Sequence, residues 1–148
     1  MRTIPFLLTL LPLFMVVACT GTRPLNLGIR EGKLAPCPST PNCVSSQSVD
    51  KEHAIEPLAY TGDAKEAMSR LAKIVREMPR TQIISEKDDY LYAEFTSLIF
   101  RFVDDVEFFP DDSAKRIHVR SASRLGKSDL GVNRKRVEAI RNMWNAGR

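Results

Sequence analysis

Nowhere does the sequence run for the roughly 20 consecutive apolar residues that a membrane-crossing helix needs. Its longest apolar stretch, Ile4 to Ala18, is shorter and is interrupted by Pro5, Thr9 and Pro12. Motifs that would name a chemistry are missing too. There is no Gly-x-Ser-x-Gly elbow to present a serine nucleophile, no His-Glu-x-x-His zinc helix and no glycine-rich phosphate loop. Histidine occurs twice and cysteine three times in 148 residues. A zinc site at the Cys37–Cys43 pair would have only His53 nearby to add, short of the four ligands zinc takes. Internal repeats and low-complexity tracts are absent. Charge is not concentrated in one sign: 22 Lys and Arg face 18 Asp and Glu, interspersed, for a net +4. That pattern implies no large one-signed field, and no aromatic-and-basic repeat suggests a nucleic-acid partner. No metal, cofactor or nucleic acid is expected.

The N-terminus has the layout of a targeting segment. Met1-Arg2-Thr3 is short and positive, the apolar run follows, and residues 1–18 read as a signal peptide. Val16-Val17-Ala18-Cys19 resembles the bacterial lipobox, with Val16 where leucine is usual. The resemblance implies lipidation on the Cys19 sulfur, cleavage before it and a mature chain beginning there. The alternatives are an ordinary signal peptide, or an uncleaved anchor with a coincidental cysteine. Each buried lipid CH₂ contributes about 0.8 kcal/mol, so two or three acyl chains anchor firmly. Thr20 stands where an aspartate would retain the protein in the inner membrane, which points to the outer membrane, facing the periplasm. Removing Arg2 leaves 21 cations against 18 anions. Residues 19–34 read as a tether, and residues 35–148 as one domain with a core of its own.

In an oxidising compartment the close pair Cys37 and Cys43 is expected to form a disulfide. A redox-active pair would call for Cys-x-x-Cys spacing, which is not present. Further on, residues 53–58 suggest a short edge strand, with Pro57 arguing against a central place. Asp63 with Glu66 three residues on is a capping-box pattern. Ala64, Ala67, Met68, Leu71, Ile74, Val75 and Met78 then form an apolar stripe at helical spacing that Pro79 ends. Strands are expected near Thr81–Ser85, Tyr90–Leu98, Phe100–Phe109 and Ile117–Ser121, followed by a helix capped by Asn133 with Val137, Ile140, Met143 and Trp144 inward. The order β-α-β-β-β-β-α, with short turns, predicts an α+β fold: an antiparallel sheet of about five strands with two helices on one face.

The densest mixture of apolar and charged residues lies between Leu98 and Arg136. Strand alternation puts Phe100, Phe102, Val106 and Phe108 on one face, where Asp104 also falls. Either a bulge re-aims Asp104 or it is buried with a partner. Two readings of the charges compete. In one, Arg120, Arg124 and Arg134 pair with Asp104, Asp105, Glu107 and Asp129 and pin the loop to the sheet. In the other, Arg120, Ser121, Ser123 and Arg124, with Asn133 and Arg134 at a helix start, form a pocket for a small anion. An enzyme could be assembled from Asp104, Asp105 and Glu107, or from Ser121 or Ser123 with His118 or His53, though alternation sets His118 and Ser121 on opposite faces.

The strings PCPSTPNCVSSQ, DYLYAEFTS, RFVDDVEF and RSASRLGKSDLGVNRKRVE, in this order, resemble a bacterial and plant family known as domain of unknown function 1499, over residues 34–144. Cys37, Cys43, Asp104, Asp105, Glu107, Arg120, Ser121, Ser123, Arg124, Asp129, Gly131, Asn133 and Arg134 follow its pattern. The resemblance brings no catalytic residue. The expectation is a lipid-anchored envelope domain that binds a small anionic ligand or an envelope partner, or acts by interaction alone, with a hydrolase as the remoter alternative.

Overall fold

The computed structural model describes residues 20–147; the segment 1–18 and Cys19, with the signal-peptide and lipidation expectations, lie outside the described residues. Eight elements follow in order: β1 (Cys43–Ser45), β2 (Leu58–Ala59), α1 (Ala64–Glu77), β3 (Thr81–Lys87), β4 (Tyr90–Thr96), β5 (Val103–Asp111), β6 (Arg116–Ser123) and α2 (Val132–Ala146). Short turns make β3, β4, β5 and β6 an antiparallel meander, because two-stranded reversals need few residues. The chain before α1 then supplies the far edge. β1 pairs with the C-terminal part of β6 and β2 with its N-terminal part, so the sheet has six strands in the order β1-β6-β5-β4-β3, with β2 on the same edge of β6 as β1 but at its other end. The fold is α+β, as the element order predicts.

Both helices cover one face. Alternation aims Leu91, Ala93, Val106, Phe108, Ile117 and Val119 at that face, where Leu71 and Val75 of α1 and Val137, Ile140 and Trp144 of α2 meet them. Burying each of the Leu, Ile, Val and Phe side chains among them contributes about 1.5–3 kcal/mol. α1 starts where the Asp63 carboxylate accepts the Glu66 N–H, and ends at extended Met78 before Pro79. Trp144 fixes the far end of α2: its indole N–H donates to the Ala59 carbonyl at 2.9 Å, and the Arg70 guanidinium lies 4.1 Å over the ring.

Several local expectations change. The sheet gains β1, a strand of three residues inside a loop rich in Pro and Ser, too short to show alternation. The strand expected at 53–58 contracts to Leu58–Ala59, with only an isolated bridge from Ser45 to Ala54 upstream. β5 begins at Val103, so Phe100 and Phe102 lie outside the sheet and are exposed. Pro110 continues β5 opposite Ile117, and the turn moves to Asp112–Lys115, where Asp111 accepts the Ser113 and Ala114 N–H groups. No bulge re-aims Asp104: it sits in unbroken register with Phe95 and Ser123 and is buried among the core's polar margin. Asn133 does not cap α2. Gly131 holds the N-cap position at φ 77°, a left-handed conformation that favours glycine, and Asp129 accepts the Gly131 and Asn133 N–H groups. Met143 is half-exposed rather than inward.

The sheet's other face is crossed by the segment expected as a tether. Arg23 reaches Glu94 of β4 and the Gly28 N–H donates to Glu107 of β5 at 2.7 Å. Beyond it, Cys37 and Cys43 are disulfide-bonded across six positions, which ties the Pro-rich loop to β1. The chain-entropy argument gives about 2 kcal/mol for so small a loop. Replacing both cysteines by serine is expected to lower the melting temperature by roughly 5–10 °C; scanning calorimetry that finds no change would mean the prolines alone order the loop.

Candidate functional site

β6 decides where the candidate residues go. Its alternation sends Ser121 and Ser123 to the helix-covered face and Arg120 to the opposite one, with Arg124 following on that side. Of the six residues expected to converge on an anion, five are therefore divided between two clusters separated by the sheet, and Arg134 joins neither.

On the outer face lies a buried ion network. The Arg124 Nε donates to Asp105 Oδ2 at 2.9 Å and its Nη2 to Asp105 Oδ1 at 2.7 Å, a two-pronged contact. Nη2 also pairs with Glu94. The Tyr92 hydroxyl donates to Asp105 at 2.6 Å, and Arg23 closes the network from outside by donating to Glu94. One step along the sheet, Glu107 is fully buried and accepts from the Tyr90 hydroxyl at 2.7 Å, the Gly28 N–H, and Arg120 at a longer 3.4 Å. Arg120 carries a loose end: its buried Nε has no hydrogen-bond partner among the described residues. Three cations thus meet three carboxylates, leaving no surplus charge for an anionic ligand. Glu94 titrates below the usual glutamate range; burial alone would raise it, but hydrogen bonds from Arg23, Arg124 and Tyr92 outweigh that. Burial, then the bond to Asp105, pushes the Tyr92 hydroxyl well up, and Arg124 is held above its ordinary value foremost by Asp105.

On the helix face, Asn133 is fully buried and joins everything around it. Its side-chain amide donates to the Asn42 carbonyl at 3.1 Å, to Ser123 at 2.9 Å and to Asp129 at 2.9 Å; its oxygen accepts from Ser121 at 2.5 Å and from Arg136 at 2.7 Å. Arg136 also pairs with Asp104 and stacks 4.8 Å from the Phe95 ring centre. Here is the partner that Asp104 requires. Asp129 is held below the usual aspartate range: burial would raise it, but the Asn133 and Gly131 N–H groups prevail. Arg134 stays apart, donating to the Ala54 and Glu52 carbonyls at 2.8 Å and so tying α2 to the chain before β2.

The residues of the enzyme alternative do not meet. Ser121 is fully buried and held by Asn133 and Arg136. His118 bonds Ser46 at 3.1 Å instead, on the outer face, and burial pulls it below the ordinary histidine value. The Ser46 hydroxyl is itself occupied by the Val119 N–H. His53 is clamped by Asp50 and the Thr40 carbonyl; burial would lower its pKa, but those two acceptors raise it. Among the described residues, no group of three or more His, Cys, Asp or Glu is placed to hold a metal, and no helix is long and apolar enough to cross a membrane.

Sequence reasoning missed Tyr90, Tyr92 and Glu94, although they share strand parity opposite Glu107 and Asp105 and could have been found that way. It also missed Arg136, which falls one turn beyond the candidate helix start, and Arg23, whose contact crosses 71 positions and leaves no local signal. The third omission is the exposed run Leu98, Ile99, Phe100 and Phe102, with Leu125 and Leu130 on the next loop.

A family model described as protein of unknown function (DUF1499) matches residues 33–143. No curated protein and no solved structure matches the chain.

Arg124 is 6% exposed and its partner Asp105 is 1% exposed, so removing the cation strands a buried carboxylate. Arg124→Ala is expected to cost about 3–5 kcal/mol, read as a lower urea midpoint with unchanged slope. Glu94 and Asp129 have folded pKa values below their ordinary 4.5 and 3.8. The stability they contribute is therefore complete above those values and is lost as pH falls through the lower folded ones. Urea midpoints should decline toward pH 2, and less steeply in Arg124→Ala, where Glu94 has lost a donor. A variant with the same acid slope as the parent would contradict this.

Proposed function

The chain belongs to the DUF1499 family, and we propose that it is a lipid-anchored cell-envelope protein that works by contact rather than by chemistry. The observation that carries this reading is a contrast. Every candidate anion-binding arginine is already engaged, Arg124 with Asp105, Arg120 with Glu107, Arg134 with two carbonyls. Meanwhile a set of large apolar side chains at one end of the sheet stands in solvent. Desolvated arginines held by carboxylates have little left to offer an anion, whereas a clustered apolar surface marks an interaction site. The interaction reading therefore has more support than the anion-pocket reading. Placement in the envelope rests on the lipobox-like Val16-Val17-Ala18-Cys19. A lipid there would raise the local concentration of the domain at a membrane and make weak contacts effective.

Two experiments test the reading. Cells grown with labelled palmitate should carry label on the full chain and none on Cys19→Ser; an unlabelled parent chain would remove the anchor. Calorimetric titration of the protein with inorganic phosphate should give no heat beyond dilution. A saturable heat that disappears in Arg120→Gln would revive the pocket.

A further inference from the structure

The exposed apolar end has a local cause. The turn between β4 and β5 closes on itself, the Ser97 N–H donating to the Phe102 carbonyl at 2.8 Å and the Phe102 N–H to the Ser97 hydroxyl at 2.9 Å. Arg101 takes a left-handed backbone, φ 58°, which non-glycine residues adopt seldom. The loop is thus shaped, and what it carries outward is apolar: Leu98, Ile99 and Phe100 are 69%, 74% and 67% exposed, and Phe100 and Phe102 rings lie 5.8 Å apart. Beside it runs the β6–α2 loop, joined where the Arg124 N–H donates to the Val103 carbonyl, and bearing exposed Leu125 and Leu130.

Charge in these two loops is one-sided. In the stretches Leu98–Phe102 and Leu125–Lys135 the single acid is Asp129, whose carboxylate is spent on the start of α2. Against it stand exposed Arg101, Lys127 and Lys135. The N-terminal segment arrives here as well. Gly21 packs so closely on the β6–α2 loop that a Cβ there would lie 3.1 Å from the Leu125 Cγ and 3.2 Å from the Arg124 Cβ. Cys19 is two residues before Gly21, a span of at most about 7 Å of chain.

We propose that this end of the sheet is a second membrane contact: the Leu98–Phe102 loop, with Leu125 and Leu130, enters the headgroup region of an anionic bilayer while Arg101, Lys127 and Lys135 meet its phosphates. The proposal builds on the anchored reading above and names the surface partner as lipid. Apolar side chains among cations are what an interfacial segment requires, and the chain next to Cys19 emerges beside them rather than at the opposite end of the sheet, where Asp88 and Asp89 turn β3 into β4. An anchor at Cys19 would then hold the domain in one orientation, loop down, instead of letting it swing.

The test uses the full chain, purified from bacterial membranes and reconstituted into phosphatidylethanolamine–phosphatidylglycerol vesicles with brominated acyl chains. Phe100→Trp and Asp88→Trp place an indole at either end, both at exposed positions; buried Trp144 is common to both. Bromine is expected to quench the added indole in Phe100→Trp at least about threefold more than in Asp88→Trp. Equal quenching, or none at position 100, overturns the proposal, and the latter is also the outcome if the loop docks on a protein. A parallel mass measurement of the N-terminal peptide reads the lipid on Cys19 independently, so a missing anchor and a dry loop are told apart. On vesicles lacking bromine, Ile99→Ser with Phe100→Ser should increase the salt-independent mobility of a spin label at Lys127→Cys several-fold; an unchanged spectrum overturns the contact.

Discussion

The pairing of Arg124 with Asp105 is the contact on which the outer half of this molecule depends. A sheet of six strands with two helices on one face must do something with the other face, and here the covering is thin: one irregular segment, residues 20–34. Beneath it Asp105 and Glu107 are out of water and Glu94 nearly so. Such groups are tolerable in a folded chain only when each is paired and its remaining lone pairs are satisfied. Arg124 does most of that work, gripping Asp105 with two nitrogens and Glu94 with a third contact, while Tyr92 takes up another position on Asp105. The segment above then has specific acceptors to find, Glu94 for Arg23 and Glu107 for the Gly28 N–H. Electrostatic satisfaction, rather than apolar burial, orders this layer.

That arrangement bears on function through subtraction. Residues that look reactive in a list, two serines, three acids, two histidines and several arginines, are distributed by strand parity into separate satisfied networks. Asn133 is the hub of one and Asp105 of the other, and the sheet stands between them. Apart from the Arg120 Nε, what remains unengaged is apolar: the Leu98–Phe102 loop and its neighbours, which no other part of the described chain covers. The same parity that disarms the arginines therefore directs attention to the end of the sheet, next to the point where the N-terminal segment comes in.

Much of the fold was legible because it rests on local periodicity. The α1 stripe from Ala67 to Val75, the Asp63 cap and the alternation of β4 to β6 all announce themselves over a few residues. β1 did not, since three residues cannot display a period and its pairing with β6 spans the whole domain. Asn133 was misread as a cap because its residue type suits one; Gly131 and Asp129, two and four positions earlier, take the job instead. The candidate site was half legible. Glu107 facing Arg120 follows from the hairpin register, and the sequence already required a partner for Asp104. The identity of that partner, Arg136, and the arrival of Arg23 depend on how α2 and the N-terminal segment cross the sheet, which no local pattern encodes. The apolar loop was hidden by its own composition, since Phe100 and Phe102 alternate as though they belonged to β5.

The central claim is that Arg124 is held for the sake of Asp105 and the layer above it. A double-mutant cycle on urea stability, with Arg124→Met, Asp105→Leu and the two together, tests that most directly. The account predicts that each single change is costly and that the double variant recovers a large part of the loss, with a coupling energy of about 2 kcal/mol or more. Additive effects, with coupling below about 0.5 kcal/mol, or a stabilising Arg124→Met alone, would contradict it and return Arg124 to the pool of residues kept for a ligand.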